Sequence, residues 1–110
     1  MGRGREINQY EVFWVSLDPT EGSEISKTRP CVVISPDEMN AYLRTVVVAP
    51  MTTTAKKYPY RIDCTLSLKQ GSIALDQIRT VDKKRIGNYI GKLKAFEAEA
   101  IKKTLREMFC

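Results

Sequence analysis

Apolar residues come in short runs along most of this chain, and only near its C-terminus do they take up helical spacing. Residues 11–17 alternate Val12, Trp14 and Ser16 with Phe13, Val15 and Leu17, which predicts a largely buried strand. Asp18-Pro19-Thr20-Glu21-Gly22-Ser23 breaks it with turn residues. The loop is expected to run on to Arg29-Pro30, because proline drives the residue before it toward extended geometry. Cys31–Ser35 predicts a second buried strand stopped by Pro36, and Asp37–Tyr42 a single helical turn capped by Ser35 or Asp37. Thr45–Ala49 predicts a third strand stopped by Pro50, and Met51–Tyr58 a polar loop. In Tyr60–Leu66, Tyr60, Ile62, Cys64 and Leu66 alternate with Arg61, Asp63 and Thr65, the pattern of a half-exposed strand. Ser72–Leu75 and Gln77–Val81 predict a strand kinked at Asp76. Tyr89–Leu93 predicts a last short strand, with Gly87 and Gly91 marking bends.

From Lys94 the period changes. Phe96, Ala100, Ile101, Thr104, Leu105 and Met108 recur at helical spacing, so Ala95–Phe109 predicts one amphipathic helix. Short strands followed by one helix imply a mainly β chain, a small curled antiparallel sheet or barrel with the helix packed on it. Residues 7–110 read as one domain, and Met1–Glu6 as a flexible N-terminal segment or a remnant of expression.

Composition then removes whole classes of chemistry. The chain has 110 residues and no histidine. Proton exchange between two imidazoles, Ser-His and Cys-His nucleophile pairs, and histidine-dependent zinc sites are therefore excluded. Cys31, Cys64 and Cys110 are odd in number and far apart, matching neither a disulfide framework nor a metal-ligand spacing, so they read as reduced structural thiols. No apolar run approaches the roughly 20 residues of a membrane helix, and no apolar segment follows the charged N-terminus, so a cytoplasmic protein is expected. Eighteen Lys and Arg against thirteen Asp and Glu give a net charge of +5, a surface that attracts polyanions.

Four pieces of sequence carry the chemistry. They are Leu17-Asp18-Pro19-Thr20-Glu21-Gly22-Ser23-Glu24, Lys27-Thr28-Arg29-Pro30-Cys31-Val32-Val33-Ile34-Ser35-Pro36, Val48-Ala49-Pro50-Met51-Thr52-Thr53 and Asp76-Gln77-Ile78-Arg79-Thr80. In order and spacing they resemble the DPTxGSE, RPxVVxSP, VxPxT and DQ signatures of the MazF/PemK/Kid toxin endoribonucleases. The resemblance covers nearly the whole chain from about Glu11. It implies an SH3-like barrel of the CcdB/PemK kind, assembled as a homodimer. It further implies sequence-specific cleavage of single-stranded messenger RNA without cofactor or metal, the ribose 2′-hydroxyl attacking its own phosphate to leave a cyclic phosphate and a 5′-hydroxyl. The implied partner is an acidic, MazE-like antitoxin whose C-terminal segment blocks the RNA groove.

That groove would be lined by the loop before Arg29 and the loop after Pro50. It would bring Lys27, Thr28, Thr53, Lys56, Lys57 and Tyr58 to the RNA, joined by Asp76, Gln77 and Arg79. For catalysis the resemblance points to Arg29 and Thr52. The residue types suit those roles: a guanidinium matches phosphate geometry, a threonine hydroxyl offers a short neutral contact, and Glu24 is the nearest carboxylate in the same loop system. Glu24 could equally pair with Lys27 or Arg29, and Asp76-Gln77 could tie strands together. Phe13 and Trp14 are expected as core or dimer contacts. In one respect the chain departs from Kid-like members, which carry an arginine two residues before the DQ aspartate, where this chain has Ala74. Two other classes stand beside the nuclease. The CcdB toxins share the barrel and bind gyrase through their C-terminal residues, but this chain ends Met108-Phe109-Cys110. A non-catalytic RNA-binding barrel would need exposed aromatics among basic residues, whereas the nine here mostly occupy apolar strand and helix positions.

Overall fold

Each short apolar run becomes one strand of a single curled sheet. The computed structural model describes residues 6–53, 58–66 and 69–110, with only the backbone at Lys69. The expected N-terminal segment therefore lies outside the described residues except for Glu6. Among the described residues the strands are β1 (Glu11–Ser16), β2 (Thr28–Val33), β3 (Thr45–Thr52), β4 (Arg61–Leu66), β5 (Lys69–Ala74), β6 (Arg79–Asp82) and β7 (Ile86–Lys92). Two helices, α1 (Asp37–Tyr42) and α2 (Ala95–Phe109), complete the fold, with short 3₁₀ turns at Leu75–Gln77 and Lys83–Arg85. The pairing order is β4-β5-β3-β2-β1-β7, and every pairing is antiparallel. Along its other edge, β3 pairs first with β6 through Thr45–Val48 and then with β5 through Met51 and Thr52. One long strand thus joins the two halves of the sheet, which curls through it. Among the described residues, no helix is long and apolar enough to cross a membrane.

Alternation along the strands makes two cores, one on each face. Phe13, Val15, Leu17, Cys31, Val33, Val46, Val48, Val81 and Ile86 pack together on one face. Val12, Val32, Ala49, Met51, Cys64, Ile73, Leu75 and Leu93 pack on the other, where Ile101 of α2 seals them.

Several sequence expectations shift. β2 begins at Thr28, so Arg29 lies within a strand rather than in the preceding loop. Leu17 N–H donates to the Lys27 carbonyl, and the two-residue repeat from there turns the Pro30 nitrogen away from β1. On that other edge the β2–β3 register has already ended at Cys31, so proline's missing donor costs no ladder bond. By the same token β3 runs through Pro50 to Thr52 instead of stopping there. The Ser35 and Asp37 side chains do not cap α1. The Ser35 hydroxyl donates to Asn40 Oδ1 (2.5 Å) and accepts from Val47 N–H, while Asp37 Oδ1 accepts from Gln9 N–H at 2.7 Å. On α2, Phe96 is 68% exposed although its spacing placed it on the apolar face. Glu97 turns inward instead, its Oε1 accepting the Lys94 N–H at 2.9 Å to close the helix start. Seven of the nine aromatics are exposed; of the two expected as core or dimer contacts, Phe13 is in the core and Trp14 is on the surface.

The cysteines are free thiols. Burial pushes Cys31 up to about 12 and Cys64 up to about 11, so both stay protonated and unreactive at neutral pH. A disulfide thiol reagent at pH 8 should therefore titrate one thiol rapidly, the exposed Cys110, and the other two only on unfolding. Two or three fast equivalents would contradict the burial.

Candidate active site

Register brings the sequence candidates to one place. Arg29 is paired with Val15, whose side chain belongs to the first core face, and Cys31 and Pro50 face each other two residues along. Arg29 and Thr52 each lie two positions beyond that last β2–β3 pair, so alternation puts both on the same face as Cys31. Thr52 in turn is paired with Ser72 of β5. Arg79 of β6 is paired with Val48, also on this face. Its charge and that of Arg29 both reach the Cys31 thiol, opposing the rise that burial imposes there. Arg29, Thr52 and Arg79 thus gather around the Cys31 end of the first core, brought together from three strands.

Arg29 is half-buried and held by its stem. Its Nε donates to the Ser26 carbonyl at 3.0 Å, and its Nη groups form no hydrogen bond with the described residues. A fork fixed at Nε and open at both tips is pre-organised for two oxygens of one phosphate. Lys27 and Thr28, both exposed, lead into it. Lys27 sits at φ 70°, a left-handed conformation costing a non-glycine residue about 1 kcal/mol. Asp18 Oδ1 accepts the Lys27 N–H at 3.1 Å and helps hold that geometry. An Arg85 Nη group donates to the Ser16 carbonyl at 3.1 Å and to the Asp18 carbonyl, anchoring the start of the same loop.

Glu24 does not form the pair with Lys27 or Arg29 that the sequence left open. Its Oε1 accepts the Glu21 N–H at 2.6 Å, closing its own exposed turn. Gln77 Oε1 accepts the Ile25 N–H at 3.1 Å, so the DQ segment holds the loop that precedes Arg29. Thr53 is exposed just beyond β3. Lys56 and Lys57 lie outside the described residues.

Asp76 takes a partner the sequence did not suggest. Arg61 Nε and Nη2 donate to its two carboxylate oxygens at 2.9 and 3.0 Å. Those hydrogen bonds hold the Asp76 carboxyl below the usual carboxylate range. Being partly solvated, the pair contributes only about 1 kcal/mol or less to stability. Arg61 is the register partner of Ala74. The side of Asp76 where Kid-like members carry their arginine is therefore served from the neighbouring strand. Tyr58, exposed, covers the same guanidinium, 4.4 Å from ring centroid to Cζ. Period-two alternation marked Arg61 as outward-facing, but nothing in the sequence linked it to a residue fifteen positions away.

Two small residues shape the ground beside Thr52. The Ser72 hydroxyl is buried and has no hydrogen-bond partner among the described residues. A Cβ on Gly71 would lie 2.7 Å from the Thr52 carbonyl oxygen, closer than such atoms approach. Gly71→Ala should therefore force β5 and the Thr52 backbone apart and cost about 1–3 kcal/mol of stability. A urea or thermal melt would check this, and a wild-type midpoint would show that the contact yields without cost.

A model of the PemK-like, MazF-like toxins of type II toxin-antitoxin systems matches residues 8–109. The chain belongs to that family. Endoribonuclease toxin MazF of Escherichia coli strain K12 is 34% identical over 71 residues, and endoribonuclease MazF of Escherichia coli O157:H7 is identical to the same extent. The match spans 64% of this chain and 64% of the length of each relative. Among solved structures, MazF from Deinococcus radiodurans superposes with a TM-score of 0.84 at 22% identity, covering 94% of this chain and 96% of that one. An endoribonuclease from a mycobacterial species, solved with its cognate antitoxin, gives 0.77 at 22% identity, covering 92% of each. At that identity the structures speak for the fold, a curled, mostly β sheet with a C-terminal helix, as this toxin family has it. Among the described residues, no three cysteine, aspartate or glutamate side chains gather as metal ligands would.

Proposed function

We propose that this chain is the toxin of a type II pair, a sequence-specific endoribonuclease that cuts single-stranded messenger RNA without a metal or cofactor. The observation that carries this reading is the placement of Arg29, Thr52 and Arg79 on one sheet face at the Cys31 end of the core. In the proposed reaction the 2′-oxygen gives up its proton and attacks the adjacent phosphorus, the bond from phosphorus to the 5′-oxygen breaks, and that oxygen takes a proton from water, leaving a 2′,3′-cyclic phosphate and a 5′-hydroxyl. The Arg29 fork neutralises the equatorial oxygens as charge builds, and Thr52 donates to the same phosphate. Glu24 is the proposed acceptor of the 2′-proton, released from its turn when RNA displaces the Glu21 N–H. Arginine is a poor base, since a guanidinium holds its proton throughout the accessible pH range. Lys27, Thr28, Thr53, Lys56, Lys57 and Arg79 supply backbone contacts. The relatives' endoribonuclease names and the antitoxin-bound mycobacterial structure support the reading. We extend it to an acidic antitoxin segment lying in the same groove, a homodimer, and a cytoplasmic location.

End-mapping of a defined RNA in excess EDTA tests the proposal. Cyclic phosphate and 5′-hydroxyl ends at a recurring sequence are expected. Activity that vanishes with chelation and returns with magnesium would overturn the metal-free reaction. A non-catalytic RNA-binding barrel draws support from the seven exposed aromatics, and intact RNA in a stable complex would favour it.

A further inference from the structure

Arg61, Asp63, Ser72 and Ala74 lie on the sheet face that carries Thr52 and Arg29, because Ile62, Ile73 and Met51 all turn into the opposite core. Arg61 stands two strands across and two residues along from Thr52, about 12 Å away over the sheet. At that spot three side chains form a layered unit. The Asp76 carboxylate is clamped by the Arg61 fork, and the Tyr58 ring lies over the guanidinium. The unit is rigid at its base, with the Arg61 side chain 13% exposed, and open at its top, with Asp76 36% exposed and Tyr58 44% exposed.

We infer that Tyr58, Arg61 and Asp76 form a nucleobase-reading subsite for a nucleotide flanking the scissile phosphate, selecting bases that carry an exocyclic amine. This rests on the RNA-cleaving reading above. Tyr58 offers an aromatic face, which stacks on any base and supplies affinity without discrimination. Asp76 supplies the discrimination. An ionised carboxylate only accepts hydrogen bonds. Arg61 occupies one acceptor position on each of its oxygens, and the positions left point apart. A single base edge can therefore meet only one of them. Adenine, cytosine and guanine each present an amino donor there, whereas uracil presents carbonyl oxygens beside its one N–H and is repelled. Arg61 is the positioning residue: it keeps Asp76 ionised and aimed, and it backs the Tyr58 ring. Lysine in its place would keep the charge and lose the fork.

Two measurements on the full chain test this. The first is the cleavage profile of wild type, Tyr58→Ala, Asp76→Asn and Arg61→Lys on a single-stranded RNA randomised around one site. The second is the binding of fluorescent, uncleavable 2′-O-methyl oligonucleotides, oligo-C against oligo-U. Tyr58→Ala should weaken binding about tenfold for both oligonucleotides, and Tyr58→Phe should recover most of that loss. Asp76→Asn and Arg61→Lys should abolish the exclusion of uracil at one nucleotide position, a change of about tenfold, and leave the preference at every other position as it was. A loss of stability alone would lower all positions together and would not move this readout. If Tyr58→Ala binds both oligonucleotides as tightly as wild type, or if Asp76→Asn keeps its profile and its C-over-U preference, the subsite is wrong while the nuclease stands. If wild type leaves RNA intact yet loses its C-over-U binding preference in Asp76→Asn, the subsite stands and the nuclease reading falls.

Discussion

Arg29→Ala is expected to lower the single-turnover rate of the proposed RNA cleavage about 100- to 1,000-fold, the loss typical of a pre-organised donor aimed at developing negative charge. Arg29→Lys does not restore it, because an ammonium cannot place two parallel donors in the plane of a phosphate. Thr52→Ala costs less, since one neutral hydroxyl is removed and Thr53 or water can substitute. Glu24→Ala falls between the two if Glu24 takes the 2′-proton, and near wild type if it only closes its own turn. Arg29 sits in β2 with its Nε on the Ser26 carbonyl, so its loss also removes a hydrogen bond worth about 1 kcal/mol. A fall in melting temperature of roughly 4–8 °C is expected for a domain of this size, and rates belong well below that temperature. Cleavage at the wild-type rate by Arg29→Ala would remove the catalytic assignment altogether.

Phe13→Ala is expected to cost about 3–5 kcal/mol, a large share of the roughly 5–15 kcal/mol that holds a domain of this size together. Phe13 is 1% exposed, pairs with Cys31 on one side and Tyr89 on the other, and meets the Tyr89 ring edge-on at 5.5 Å. Truncation leaves a cavity that β1, pinned by both neighbours, cannot close. Urea unfolding should show a lower midpoint at unchanged slope. Phe96→Ala provides the contrast. At 68% exposure it should change stability by no more than about 0.5 kcal/mol. Similar losses for both variants would mean that the first core is packed otherwise than described.

Much of this molecule was legible in its amino acids. α2 falls at Ala95–Phe109 as its spacing predicts, because a helix of that length must repeat its apolar face four times. The kink at Asp76 is the 3₁₀ turn Leu75–Gln77 between β5 and β6. Absence of histidine limited the chemistry before any fold was known, and four motifs in register pointed to the family. Strand ends were less visible. Pro30 and Pro50 read as stops, but a proline interrupts a ladder only where its nitrogen faces a partner, and that depends on which strand lies on each side. Exposure of the aromatics was equally hidden, since Phe13 and Phe96 occupy apolar phases alike and only packing buries one and leaves the other in water. Tertiary structure alone decided the candidate site: that Arg29 and Thr52 leave the paired ends of β2 and β3 on one sheet face, that Gly71 lets Thr52 approach, and that Arg61 reaches Asp76 from a neighbouring strand. Local pattern dictates which way a side chain points from its own strand. The neighbours it meets follow from pairings between segments far apart in the chain, and those are set by the competition of all strands for one sheet.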